Sequence, residues 1–290
     1  LKKGENALPA AQAETPFWHP TEPRLSMTFG SWRRQIDDAN YPDIAQEVGV
    51  IDLGGDLPAE APSEVVADSA SEDQGMAWSP NGRWIAFHSH RDMSDDVWLR
   101  PASGRVLDRR ITMLGRGAEV GWPRWAPDGK TLLLDGTKDG RSVMFTLGLD
   151  QDTGQVTSDL REIGAPGFEI PHGEWLPDGR RLVAIAKDGP GRHAVLLVPA
   201  AGGAATVLHR FESEHDFPGL AVTPDGASFT FVAPGTDGHF QLFSRAVSGG
   251  PVRQLTSDPI DKSQPAWSPD GRRLAFTAWR YDATIWLMRP

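Results

Sequence analysis

Histidines and carboxylates recur in short groups along this 290-residue chain. His88, His90 and Arg91 stand together in HSHR, and Glu169, His172 and Glu174 in EIPHGEW. Glu214, His215 and Asp216 share ESEHDFPG, and His239 follows Asp237. Imidazole beside carboxylate suits three kinds of chemistry: proton transfer, ligation of a transition metal, or capture of a cationic partner. Carboxylates alone suit Ca2+, which takes six to eight oxygen ligands. His88 and His90, two residues apart, face the same side of a strand. That spacing fits either a metal pair or a contact that caps a neighbouring element. Motifs for covalent catalysis are missing from the sequence. It has no cysteine, no Gly-x-Ser-x-Gly elbow, no Gly-x-x-x-x-Gly-Lys phosphate loop and no His-Glu-x-x-His. No catalytic residue is therefore assigned.

The elements that position these groups are set by a repeat. WSPNGR from Trp78, WAPDGK from Trp125, WLPDGR from Trp175, VTPDGA from Val222 and WSPDGR from Trp267 are spaced 47, 50, 47 and 45 residues apart. A degenerate copy, WHPTEPRLSMTF, begins at Trp18. Pro followed by Asp/Asn-Gly is a tight turn, because proline fixes φ and glycine tolerates positive φ. A short apolar strand ending in Trp precedes it, and alternating residues such as Leu274 and Phe276 against Ala275 and Thr277 follow. Two further short strands complete each unit. Four antiparallel strands per unit predict an all-β, six-bladed β-propeller with blades starting near residues 17, 77, 124, 174, 221 and 266. The last unit stops after its third strand. Counting back from Trp18 places residues 2–8 as its missing fourth, so the ring closes through the N-terminus within a single domain over 1–290. The tryptophans at the repeat position are expected to wedge between blades.

Strand direction sorts the connections onto two faces. The Pro-Asp-Gly turns share one face; the loops between blades and the irregular second-to-third loops share the other. His88, His90, His172, His193, His215 and His239 are expected on that irregular rim, among many carboxylates. Trp32 and Trp279 fall outside the repeat position and are candidate contact residues on the same face. The formal charge of −10 excludes a general nucleic-acid binder and disfavours an anionic membrane surface. No run approaches the length of a membrane span. Lack of cysteine suits either the cytoplasm or a bacterial envelope compartment.

Trp-Ser-Pro-Asp-Gly-Arg followed by LAF, with an RQLT ending, resembles the repeat of TolB-type β-propellers, a WD-repeat-like class. The resemblance spans nearly the whole chain. It implies Ca2+ as the candidate ion for the channel and a periplasmic or other extracytoplasmic setting, with the cytoplasm left open. The functional expectation is a non-enzymatic module that binds a protein or peptide, a basic one by charge, through its acidic, histidine-containing face. A metal-dependent lyase or hydrolase acting on a carbohydrate or small molecule at that face is the alternative. The residues expected to bind are His88, His90, Arg91, Glu169, His172, Glu174, Glu214, His215, Asp216, His239, Trp32 and Trp279.

Overall fold

The repeated turn works as its sequence implies. In the computed structural model the glycines of the five clean turns, Gly82, Gly129, Gly179, Gly226 and Gly271, have φ between 63° and 69°, a region that L side chains enter at a cost. The preceding Asn or Asp locks the turn by accepting a backbone N–H two residues on. Asp128 Oδ1 takes that of Lys130 at 2.9 Å and Asp178 Oδ1 that of Arg180 at 2.8 Å. The other three turns repeat the bond.

The structure describes residues 6–8, 13–31, 45–53, 64–67, 73–91, 94–103, 107–114, 118–214, 219–279 and 283–288. Strand β1 (Asn6–Leu8) opens the chain. The first blade holds β2 (Ala13–Trp18), β3 (Arg24–Ser31), β4 (Ala45–Asp52) and β5 (Glu64–Ala67). The second holds β6 (Asp73–Trp78), β7 (Trp84–Ser89), β8 (Asp96–Pro101) and β9 (Arg109–Arg110). The third is β10 (Ala118–Trp125), β11 (Thr131–Lys138), β12 (Arg141–Gly148) and β13 (Arg161–Ile163). The fourth is β14 (Glu169–Trp175), β15 (Arg181–Gly189), β16 (Arg192–Pro199) and β17 (Thr206–Glu212). The fifth is β18 (Leu220–Val222), β19 (Ser228–Pro234), β20 (Phe240–Ala246) and β21 (Arg253–Gln254). The last blade contains β22 (Asp261–Trp267), β23 (Leu274–Trp279) and β24 (Ala283–Met288). Its fourth strand is β1, paired antiparallel to β24 with Asn6 opposite Leu287 and Leu8 opposite Ile285. Among the described residues the six sheets are four-stranded; five wind outward in chain order from an innermost strand, and the last runs β22, β23, β24 and then β1.

The innermost strands β2, β6, β10, β14, β18 and β22 each touch the next, and β22 touches β2, which closes a ring around a channel. The apolar core lies between neighbouring blades: Leu133, Met144 and Ile163 of the third, for example, pack on Ile170, Leu182 and Ala184 of the fourth. The repeat tryptophans fasten these seams. Trp78 donates its indole N–H to Ser26 Oγ at 3.2 Å, Trp175 to the Arg124 carbonyl at 3.3 Å, and Trp267 to Thr230 Oγ1 at 3.1 Å. Each acceptor belongs to the preceding blade. Trp18 bonds the Ala266 carbonyl of the last blade at 2.9 Å, so the seam that joins chain start to chain end uses the same device. Truncating an indole packed this way to alanine costs about 3–5 kcal/mol. Among the described residues no helix is long and apolar enough to cross a membrane.

Candidate functional site

Five of the six innermost strands carry a register shift. In four of them it coincides with a residue at positive φ three positions before the repeat tryptophan: Thr15, Gly75, Trp122 and Gln264, at 52°, 53°, 50° and 49°. Proline follows three of these four. It removes no ladder hydrogen bond there, because bulged residues are unpaired. In β14 the shift lies between Glu169 and His172, which puts His172 back in the ladder opposite Ile185 and Glu174 opposite Val183.

The innermost strands line a cavity of about 510 Å3. At the position before the repeat tryptophan most blades present a small or apolar side chain, namely Phe17, Ala77, Ala221 and Ala266, all of which face this cavity. The third and fourth blades present Arg124 and Glu174 instead. The cavity wall is thus divided: charged along the third and fourth blades, aromatic and aliphatic around the rest. It reaches Pro20, Pro80 and Pro269 at the repeat turns.

Arg124 organises the charged wall. Its Nη1 and Nη2 grip Asp135 Oδ1 and Oδ2 at 2.9 and 2.6 Å in a fork, the strongest geometry available to this pair. Nη1 also donates to the Trp122 carbonyl at 2.9 Å, Nη2 lies 2.6 Å from His172 Nδ1, and Nε faces Glu174 Oε1 at 2.7 Å. His172 Nδ1 sits 2.9 Å from Asp135 Oδ2, and its Nε2 is 3.8 Å from Glu174 Oε1. The two carboxyls are tuned apart. Burial alone would raise Asp135, but Arg124 and His172 outweigh it and hold this carboxyl below the usual aspartate range. Burial dominates at Glu174, where Arg124 and His172 offset only part of it and the carboxyl stays above the usual glutamate range. Arg124 and Asp135 side chains are 6% and 11% exposed, whereas Glu174 keeps 26% of its surface open, which makes it the most exposed member of a group that lines the channel.

Backbone strain gathers at the same level. Trp122 is a bulky residue in the left-handed region, a genuine outlier. Its indole covers Gly75 of the second blade so closely that a Cβ there would fall 2.8 Å from the ring. Gln264 Oε1 accepts the Thr15 N–H at 2.9 Å and the Thr277 hydroxyl at 3.2 Å.

Of the described residues expected from sequence to bind, only His172 and Glu174 line the channel. His88 Nε2 and His90 Nδ1 both contact Asp95 Oδ1, at 3.0 and 2.8 Å, and Asp95 is held below its usual value: burial opposes this, and the two histidines prevail. Arg91 bridges Asp73 and Asp108 at 2.9 and 2.5 Å and lies over the Phe87 and Trp98 rings, as an internal clamp of the second blade. Glu169 and Glu214 line a separate cleft of the fourth blade with Arg141 and Asp188. His239 pairs with Asp261 at 3.3 Å, and the Trp279 indole N–H bonds Ser263 Oγ at 2.8 Å. His193, expected on the rim, is buried and stacked on Phe211. Trp32, His215 and Asp216 lie outside the described residues. Among the described residues no three His, Asp or Glu side chains converge as metal ligands.

Arg124, Asp135 and Trp122 were not singled out from sequence, although two of them carried a signal. Asp135 directly follows the apolar run Leu132–Leu134 inside a strand, and Arg124 stands where Ala77, Ala221 and Ala266 stand in other units. A charge inside a buried strand calls for a partner.

No family model matches the chain. Among curated proteins it is 26% identical over 162 residues to the protein named uncharacterized peptidase YuxL of Bacillus subtilis, a match spanning 54% of this chain and 21% of that one. It is 29% identical over 170 residues to uncharacterized protein Atu1656 of Agrobacterium fabrum, spanning 58% of this chain and 54% of the relative. The chain therefore covers less than two-thirds of either relative's length. Among solved structures, a putative TolB from Agrobacterium tumefaciens superposes with a TM-score of 0.68 at 19% identity, covering 97% of this chain and 91% of that one. TolB from Acinetobacter baumannii superposes with a TM-score of 0.60 at 18% identity, covering 96% and 64%. At these identities the likeness establishes the fold, an all-β, TolB-like propeller of four-stranded antiparallel blades.

Proposed function

We propose that this propeller is a non-enzymatic binding module that receives a peptide segment of a partner protein in its central channel. The divided cavity wall carries the reading. A peptide needs both polar partners for its backbone and apolar surface for its side chains. Glu174 and His172 supply the first, and Phe17, Ala77, Ala221 and Ala266 the second. A volume near 510 Å3 lies in the range of ligand clefts and suits a short segment. Among the described lining residues Thr15 holds the only hydroxyl, and none is a lysine, serine or tyrosine. The Bacillus subtilis relative is named a peptidase, and a peptide ligand accords with that name. Rim groups such as His90, Glu214 and His239 provide outer contacts for the partner around the inserted segment.

Panning a random peptide library against the wild-type chain and against Ala266→Trp, which fills the cavity, tests the reading. Peptides captured by the wild type should be lost on the variant while its urea midpoint stays near that of the wild type. Equal capture by a folded Ala266→Trp would place binding elsewhere and end the proposal.

A further inference from the structure

We infer that the group recognised in this channel is a primary ammonium or guanidinium, carried by a lysine or arginine side chain of a peptide or by a free amine, and that Glu174 receives it. The inference deepens the peptide-binding reading and rests on the same cavity. It follows from which polar atoms of the charged wall are already engaged. Every nitrogen of Arg124 faces a partner: Nη1 meets Asp135 and the Trp122 carbonyl, Nη2 meets Asp135 and His172, and Nε meets Glu174 Oε1. Nε is buried with no aligned hydrogen bond, so Arg124, the one Lys or Arg among the described lining residues, turns no exposed donor toward an incoming anion. Asp135 is equally occupied, with Oδ1 held by Arg124 and Oδ2 by Arg124 and His172. His172 Nδ1 lies between Arg124 and Asp135 and is occupied in either tautomer.

What remains is Glu174, with His172 Nε2 beside it. The one short contact of its carboxyl is Arg124 Nε with Oε1 at 2.7 Å, His172 Nε2 stands 3.8 Å from the same oxygen, and a quarter of the side chain's surface is open. Arg124 is one cation shared between two carboxylates, Asp135 and Glu174, so the second lacks a counter-charge of its own. A backbone amide can supply Glu174 with a hydrogen bond but leaves it without that counter-charge. An ammonium or guanidinium supplies both, as a charge-assisted bond of roughly twice the strength. Aromatic walls complete the match, because Trp122, Phe17 and Trp78 line the cavity and ring faces attract cations. Burial also holds Glu174 above its ordinary ionisation range with only partial relief from Arg124 and His172, as expected of a carboxyl whose counter-charge is incomplete. The chain's net charge of −10 steers cations toward the molecule. An anionic ligand would meet an occupied arginine and an unpaired glutamate.

Four capped tripeptides, acetyl-Ala-Xaa-Ala-amide with Xaa lysine, arginine, leucine or glutamate, and the free diamine cadaverine are the probes. Binding is read by calorimetry and by the indole NMR signal of Trp122, on the wild type and on Glu174→Gln. The lysine and arginine peptides should bind about tenfold or more tightly than the leucine peptide, with no binding by the glutamate peptide. That advantage should vanish in Glu174→Gln. If the glutamine variant is too unstable to assay, the wild-type ranking decides. A leucine or glutamate peptide that binds as well as the lysine peptide would overturn the inference while leaving the peptide-binding reading in place. Cadaverine binding without any peptide binding would uphold the cationic site and overturn the peptide reading. Failure of all five probes to bind would overturn the cationic site.

Discussion

Replacing Arg124 by methionine is the sharpest perturbation of the charged wall. The residue is almost wholly buried and joins Asp135 through two short bonds while facing Glu174 with its third nitrogen. Removing one partner of a buried pair costs about 3–5 kcal/mol, because the charge left behind is uncompensated. For a chain of this size about 2 °C of midpoint accompany each kcal/mol, so the thermal midpoint should fall by roughly 6–10 °C. The pH dependence identifies the cause. In the wild type Asp135 titrates below its unfolded value, so it contributes stability at neutral pH that is lost as pH falls through the folded value. In Arg124→Met both carboxyls should titrate above their unfolded values, a penalty that is relieved as pH falls. The gap between the two proteins must therefore narrow in mild acid. A further change of Asp135 to leucine removes one of the two orphaned charges and should recover part of the loss in Arg124→Met/Asp135→Leu. Urea unfolding followed by tryptophan fluorescence at neutral and mildly acidic pH measures all three. A loss under about 1 kcal/mol in Arg124→Met, or a gap that does not change with pH, would refute the claim that this arginine compensates buried carboxylates.

Three further outcomes follow from particular residues. Cation binding requires ionised Glu174, whose folded value is raised, so affinity for the lysine peptide should increase with pH through a range above that of an ordinary glutamate; calorimetry across pH reads this, and a flat profile would count against it. Trp122 is held at φ 50°, where alanine pays about 1 kcal/mol and glycine pays nothing. Trp122→Gly should therefore be more stable than Trp122→Ala in urea, the reverse of the usual order within a strand, and the usual order would show that the strained conformation is not kept. Trp78→Phe keeps most of the wedge but loses the bond to Ser26, so it should cost about 1 kcal/mol in the same assay.

Architecture was more legible than the site because the two are written in different ways. The turn, the alternating strand and the wedge tryptophan are local patterns repeated at even spacing, and each copy supports the others. The pairing of Asn6–Leu8 with the last strand followed from counting alone. The site depends on departures from the repeat: an arginine in place of alanine, an aspartate directly after Leu132–Leu134, and a bulge moved upstream in β14 that turns His172 and Glu174 into one group with them. Sequence spacing carries no information on which neighbouring blade supplies the partner, so Arg124 and Asp135 could not be joined to His172 before the ring was seen. The histidines of the loops likewise have partners that spacing does not reveal. His88 and His90 meet Asp95, His193 is buried, and His239 meets Asp261, each in its own part of the ring.

That ligand enters the channel is the central claim, and the absence of cysteine from the sequence permits a direct test. A single cysteine at Ala266, which lines the cavity, can be labelled by a small thiol reagent in the presence and absence of a saturating captured peptide. Lys130→Cys, on an exposed repeat turn, is the reference. The account predicts that peptide slows labelling at position 266 about tenfold or more and leaves position 130 unchanged. Saturating peptide with undiminished labelling at position 266 would contradict it.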